Sequence, residues 1–224
     1  MKRLAIVFLC LMVSSAYSGS PDESGIVWNV DNLKSIGGHK TRVVGTPKVV
    51  ETEKGPDKIG VQFNGAGDGL VVESLPLADV NVFTIEVVFR PDVNIPDSQR
   101  LIYMQEKDSK NRITMAVEAR TADKKIWYFD TYVKCAVDNR NLYKTEKTHK
   151  PGQWYTAALV YDGQNLQNYI NGNQEASEKL IFKPLKSGET SIGVKLDHTA
   201  WFKGVISKIR FTPRALKPQE LLKP

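Results

Sequence analysis

The chain has 224 residues, 41% hydrophobic and 25% charged, with 16 Gly and 11 Pro, a balance that excludes wholesale disorder and collagen-like structure. The length suits one large domain, and all-β sandwiches commonly take that many residues as a unit. The formal charge of +6 comes from 31 Lys and Arg against 25 Asp and Glu. The signs are interspersed, so the clustered basic footprint of a nucleic-acid binder is absent.

Lys2 and Arg3 precede an apolar run from Leu4 to Val13, and the small-residue stretch Ser14-Ser15-Ala16-Tyr17-Ser18 follows. This is the three-part pattern of a secretory signal, and its apolar run is too short to span about 30 Å of hydrocarbon as a helix. Residues 1–18 are therefore read as a signal peptide, cut after Ser18 or Ala16, and residues 19–224 as one exported domain, periplasmic or extracellular. No other segment approaches membrane-spanning length, so no stable membrane insertion is expected. Cys10 leaves with the signal and Cys135 stays alone, which suits a small buried hydrophobe.

Further along, apolar spacing has period two and the punctuation is Gly, Asn, Asp and Pro, the mark of many short strands. Phe83, Ile85, Val87 and Phe89 share one face of the first clear strand, before Pro91-Asp92 ends it. The stretch 112–120 sends Ile113, Met115, Val117 and Ala119 one way and Arg112, Thr114, Glu118 and Arg120 the other. The stretch 125–132 places Trp127 and Phe129 opposite Tyr128, Asp130 and Tyr132. Strands at 154–161 and 166–170 are followed by Asp162-Gly163 and Asn171-Gly172, pairs that fit tight turns between antiparallel strands. Further strands are read at 190–194 and 204–211, and Pro218 limits the tail to a short helical turn. No internal repeat or linker appears. The pattern predicts an all-β fold, a single two-sheet antiparallel sandwich.

Gly152-Gln153-Trp154-Tyr155, Ala158 to Gly163 and Tyr169-Ile170-Asn171-Gly172 resemble the central signature of laminin-G-like domains in the concanavalin A-like lectin/glucanase superfamily. Val61 to Gly65, Phe83 to Glu86 with Phe89-Arg90-Pro91, and Phe202 to Phe211 with Arg214-Ala215-Leu216 match in the same order. The resemblance runs from about Gly25 to Leu222 and implies a jelly-roll sandwich with one concave sheet. It names no ligand, because one fold hosts lectins, hydrolases, lyases and adhesive modules. Laminarinase-type relatives carry Glu-x-Asp-x-x-Glu on the active strand, two carboxylates at the spacing that retaining hydrolysis requires. That motif is absent: Glu86 leads to Val88 and Arg90 on its own face. No nucleophile elbow, zinc-binding His pair or phosphate-binding loop is present either.

A candidate site remains on the strand faces. Glu118, Arg120, Tyr128, Asp130 and Tyr132 share the polar side of neighbouring strands, with Arg100 and Arg112 near. Rings stack on sugars while charged groups bond hydroxyls, so the mixture suits a glycan groove. A plain solvated sheet face shows the same alternation. His198 and Trp201 lie on a loop that can overhang the concave sheet, whereas His149, beside Lys150-Pro151-Gly152, reads as a solvated turn. Trp28 and Trp154 read as core or edge-packing rings. The resemblance also admits Ca²⁺, for which Asn64-Gly65-Ala66-Gly67-Asp68-Gly69 offers oxygens. The sequence thus favours a secreted, lectin-like domain whose partner is a glycan or polysaccharide. The alternatives are a glycoside hydrolase or polysaccharide lyase with an unusual site, and an adhesive module with a protein partner.

Overall fold

The computed structural model describes residues 25–52, 55–120 and 125–224. The signal-peptide reading of residues 1–18 lies outside them. Period-two alternation has become two antiparallel sheets, stacked face to face. Sheet I runs in the order β14 (Asn173–Lys179), β13 (Asn165–Ile170), β12 (Tyr155–Tyr161), β7 (Phe83–Pro91), β16 (Lys203–Thr212), β5 (Ile59–Asn64) and β4 (Lys48–Glu51), while β1 (Ile26–Asn29) pairs with β16. Sheet II runs β11 (Asn139–His149), β10 (Trp127–Lys134), β9 (Arg112–Ala119), β8 (Ser98–Glu106), β15 (Gly188–Ile192), β6 (Gly69–Val72), β3 (His39–Val44) and β2 (Ser35–Ile36). The tail contributes only a 3₁₀ turn at Pro218–Glu220.

The inward side chains of both sheets form one core. Phe83, Ile85, Val87 and Phe89 are all buried, as the alternation predicts, and so are Trp127 and Phe129 across the gap. Phe89 meets Trp127 edge-on with ring centroids 5.7 Å apart, tying sheet I to sheet II. A polar bridge also crosses this gap. Thr131 Oγ1 donates to Asn168 Oδ1 at 2.8 Å, and Asn168 Nδ2 donates to the Leu142 carbonyl at 2.8 Å, so these buried polar groups satisfy one another. The turn between β13 and β14 is Asn171-Gly172, with φ of 52° and 78°, the left-handed pair that a tight hairpin requires.

The outer face of sheet I is partly roofed by the C-terminal segment. Leu216 and Leu221 pack on Ala158, Val160 and Tyr169, and the Leu222 amide donates to Glu86 Oε1 at 2.6 Å. Arg210 Nε donates to the other oxygen of Glu86, whose side chain is 0% exposed. This carboxylate is therefore enclosed in structure and unavailable to a ligand. Cys135 is buried and accepts a hydrogen bond from the Lys183 amide. Among the described residues no helix is long and apolar enough to cross a membrane.

Candidate functional site

Strand β9 is the axis of the site, because its outward residues Arg112, Thr114, Ala116 and Glu118 alternate with core residues. Register supplies their neighbours. Ser98 and Tyr128 flank Glu118, Arg100 and Asp130 flank Ala116, Tyr103 and Tyr132 flank Thr114, and Gln105 and Lys134 flank Arg112. On the far side of β10, Tyr143 stands beside Asp130 and Asn141 beside Tyr132. Arg100, Arg112, Glu118, Tyr128, Asp130 and Tyr132, all singled out from the sequence, thus occupy one face of sheet II.

At one end of this face the charges are tightly organised. Arg100 Nη1 donates to Glu118 Oε1 and to Ser98 Oγ, both at 2.9 Å, and Ser98 Oγ donates to the same Oε1 at 2.8 Å. Between Arg100 and Asp130 stands only the methyl group of Ala116, which leaves a gap in the row. Burial pushes the Glu118 carboxyl above its ordinary range, against the opposing hydrogen bonds from Ser98 and Arg100. Asp130 is pushed up to about 7, first by burial and then by the negative charge of Glu118, with Arg100 opposing. With its amide turned to satisfy both partners, Asn141 donates to Asp130 Oδ1 at 2.8 Å and to the Thr131 carbonyl at 3.1 Å. Burial also raises the Tyr128 hydroxyl, with Glu118 and Asp130 adding to the effect. The result is a carboxyl group that holds a proton near neutrality, so it can donate as well as accept, beside a guanidinium and a carboxylate.

The aromatic groups extend the face. The Tyr128 and Tyr143 rings lie 5.7 Å apart, and the Arg112 guanidinium sits 4.6 Å over the Tyr132 ring. The Tyr103 hydroxyl donates to Gln105 Oε1 at 3.0 Å. Arg120 lies beyond the end of β9, where its Nε donates to the Thr145 carbonyl at 3.0 Å; it borders the site beside Tyr128.

The family model described as the concanavalin A-like lectin/glucanases superfamily matches residues 64–222. The chain belongs to this superfamily. Solved structures agree in fold. Domain 4 of AbnA, an extracellular arabinanase from Geobacillus stearothermophilus solved with arabinotriose, has a TM-score of 0.57 at 15% identity, over 88% of this chain and 95% of that one. The receptor binding domain of the botulinum neurotoxin C/D mosaic serotype gives 0.62 at 12% identity, over 88% of this chain and 49% of that one. The binding domain of botulinum neurotoxin DC in complex with SialylT gives 0.60 at 11%, over 88% and 49%. The chain therefore spans about half the length of the toxin domains it resembles. No curated protein matches it in sequence.

In this superfamily member the loop after β15 returns along β8. The Arg100 amide donates to the Ala200 carbonyl at 3.0 Å, and the Phe202 amide to Gly193 at 2.8 Å. His198 and Ala200 adopt φ of 59° and 54°, left-handed values that residues with a Cβ seldom take, so the loop is held in a strained form. The His198 and Trp201 rings face each other at 6.0 Å on this loop, and Asp197 raises the Tyr103 hydroxyl after burial has done so. The loop thus sits beside the Arg100 end of the face. The turn read as a possible calcium loop has its carboxylate engaged by backbone amides: Asp68 Oδ1 accepts from Thr46, in the connection between β3 and β4, at 2.8 Å, and Oδ2 from Asn64 at 3.1 Å. Among the described residues no three His, Cys, Asp or Glu side chains cluster so as to hold a metal.

His149 corrects the sequence reading of a solvated turn. It ends β11 with its ring 4.6 Å from Trp127 and its Nε2 2.8 Å from Glu175 Oε1, closing the edge where the two sheets meet. Tyr103, Tyr143, Asn141 and Ser98 escaped the sequence reading. A bulge between Arg100 and Ile102 puts Arg100 and Tyr103 on one face although three positions separate them, so strict alternation assigns them to opposite sides.

Proposed function

We propose that this chain is an exported carbohydrate-binding domain that holds a glycan on the outer face of sheet II. The observation that carries this reading is the row of Arg100, Glu118 and Asp130 set among Tyr103, Tyr128 and Tyr132. Sugar hydroxyls need donors and acceptors side by side, and sugar ring faces need aromatic surface. Arg100 donates, Glu118 accepts, and Asp130 does either near neutral pH. Support also comes from two neighbours of the same fold whose structures contain a sugar ligand or a partner, arabinotriose in the arabinanase domain and SialylT in the toxin domain. The charged signal-like start of the sequence supports export.

One observation favours cleavage as a second reading: a carboxylic acid that titrates near neutrality beside a carboxylate resembles an acid and base pair. The experiment that separates the two is a polysaccharide panel read both for retention of the protein and for new reducing or unsaturated ends. Retention without new ends is the expected outcome. Release of products at enzymatic rates replaces binding by catalysis, and a panel on which nothing is retained or cut refutes both.

A further inference from the structure

A second row of ligand-competent groups lies on the other side of the sandwich. Register aligns Lys48, Gln62, Val205 and Arg90 across β4, β5, β16 and β7 of sheet I. Trp154, just before β12, completes it, with the Arg90 guanidinium 5.9 Å from its ring centroid. The middle of the row is low. Val205 is short beside its long neighbours Gln62 and Arg90, and its Cγ1 closes over Gly60 in the next row, 2.7 Å from where a Cβ there would stand.

Two cavities open on this depression, about 320 Å³ and about 350 Å³, each inside the range of small-ligand pockets, and Gln62 lines both. Trp154, Arg90, Thr52 and Glu51 wall the first. Lys48, Lys203, Asn64 and Asp92 wall the second. The Arg90–Asp92 ion pair at 3.5 Å joins the two. Arg90 Nε is buried without a partner, while the side chain as a whole is 37% exposed along the wall of the first cavity. The C-terminal segment that roofs the rest of sheet I contributes to neither wall.

We infer that this depression is a second glycan site, which takes a short neutral oligosaccharide with one sugar unit in each cavity and Gln62 between them. Cations and carboxylates are mixed along it, Arg90, Lys48 and Lys203 with Glu51, Asp68 and Asp92. An uncharged polyol can donate to the carboxylates and accept from the cations, whereas an anionic ligand would meet like charges. The site stands across the core from the face of sheet II, so the domain would engage glycan on both sides.

The test is a residue-resolved NMR titration of the full mature domain with arabinotriose, maltotriose and laminaritriose, each to about 10 mM so that millimolar affinity is visible. The Trp154 indole and the Gln62 and Lys203 amides are expected to shift with at least one of them. Gln62→Leu and Arg90→Met should each weaken that response about tenfold, the scale of one lost hydrogen-bonding group. Tyr132→Ala, on the opposite face, should leave it unchanged. The core Trp127 indole signal reports whether each variant is folded. No shift at these three positions with any trisaccharide overturns the inference, as does a response that survives both sheet I variants or vanishes in Tyr132→Ala. Signals from Tyr128 and Tyr132 report on sheet II separately, so failure of either site is visible without the other.

Discussion

Replacing Asp130 by Asn tests the electrostatics of the face of sheet II. The carboxyl is raised from 3.8 to about 7, first by burial and next by Glu118. At low pH both folded and unfolded chains hold the proton and no penalty exists. As pH rises past 3.8 the unfolded chain ionises while the folded chain keeps its proton, so stability falls until about pH 7 and stays reduced above it. The rise from 3.8 to about 7, at 1.36 kcal/mol for each tenfold change in proton affinity, sets a ceiling of about 4 kcal/mol. Coupling to Glu118 and partial solvent contact bring the expected loss to about 2 kcal/mol. Asp130→Asn keeps the shape and the neutral hydrogen-bonding character of the protonated acid. In urea denaturation the variant should lie within about 0.5 kcal/mol of the wild type at pH 4 and exceed it by about 2 kcal/mol at pH 8. Carboxylates held low by amide hydrogen bonds, such as Asp138 and Asp162, are common to both proteins and cancel in the difference. Equal stabilities at both pH values, or a variant that is weaker at pH 8, would refute the reasoning.

Three further outcomes are expected. Asn168→Ala strips the buried Thr131 hydroxyl and the Leu142 carbonyl of their shared partner and should cost about 2 to 3 kcal/mol in chemical denaturation, whereas an exposed Asn such as Asn173 should change stability by less than about 0.5. Glu86→Ala leaves the Arg210 guanidinium facing a cavity and releases the Leu222 amide, so a loss of about 3 kcal/mol is expected, with faster proteolysis of the C-terminal segment. Arg112→Met removes the cation over Tyr132 while keeping an apolar stem, and should weaken glycan retention by about threefold to tenfold with little change in melting temperature.

The sandwich was legible because its strands obey a simple alternation. Ile113, Met115 and Val117 face inward and Arg112, Thr114 and Glu118 outward, and nothing between them breaks the period. The turn at Asn171-Gly172 was equally readable, since its left-handed backbone is a property of those two residues. Strand β11 was not. It is polar along most of its length, its burial comes from packing at an edge of sheet II, and its register slips between Tyr128 and Asp130, which brings Tyr143 to the site. Tyr103 was hidden by the bulge at Leu101. His149 looked solvated because Lys150-Pro151-Gly152 follows it, and its actual neighbours, Trp127 and Glu175, come from strands on different sheets. The elevated Asp130 has the same origin: no local motif encodes a carboxyl group placed near another by the pairing of β9 with β10.

Hydrogen–deuterium exchange with and without the glycan that the panel retains best gives the most direct check on where this protein meets its ligand. Peptides covering Ser98–Glu106, Arg112–Ala119 and Trp127–Lys134 should exchange more slowly with glycan bound. Protection confined to other strands, with these three unchanged, would contradict the assignment of binding to this face.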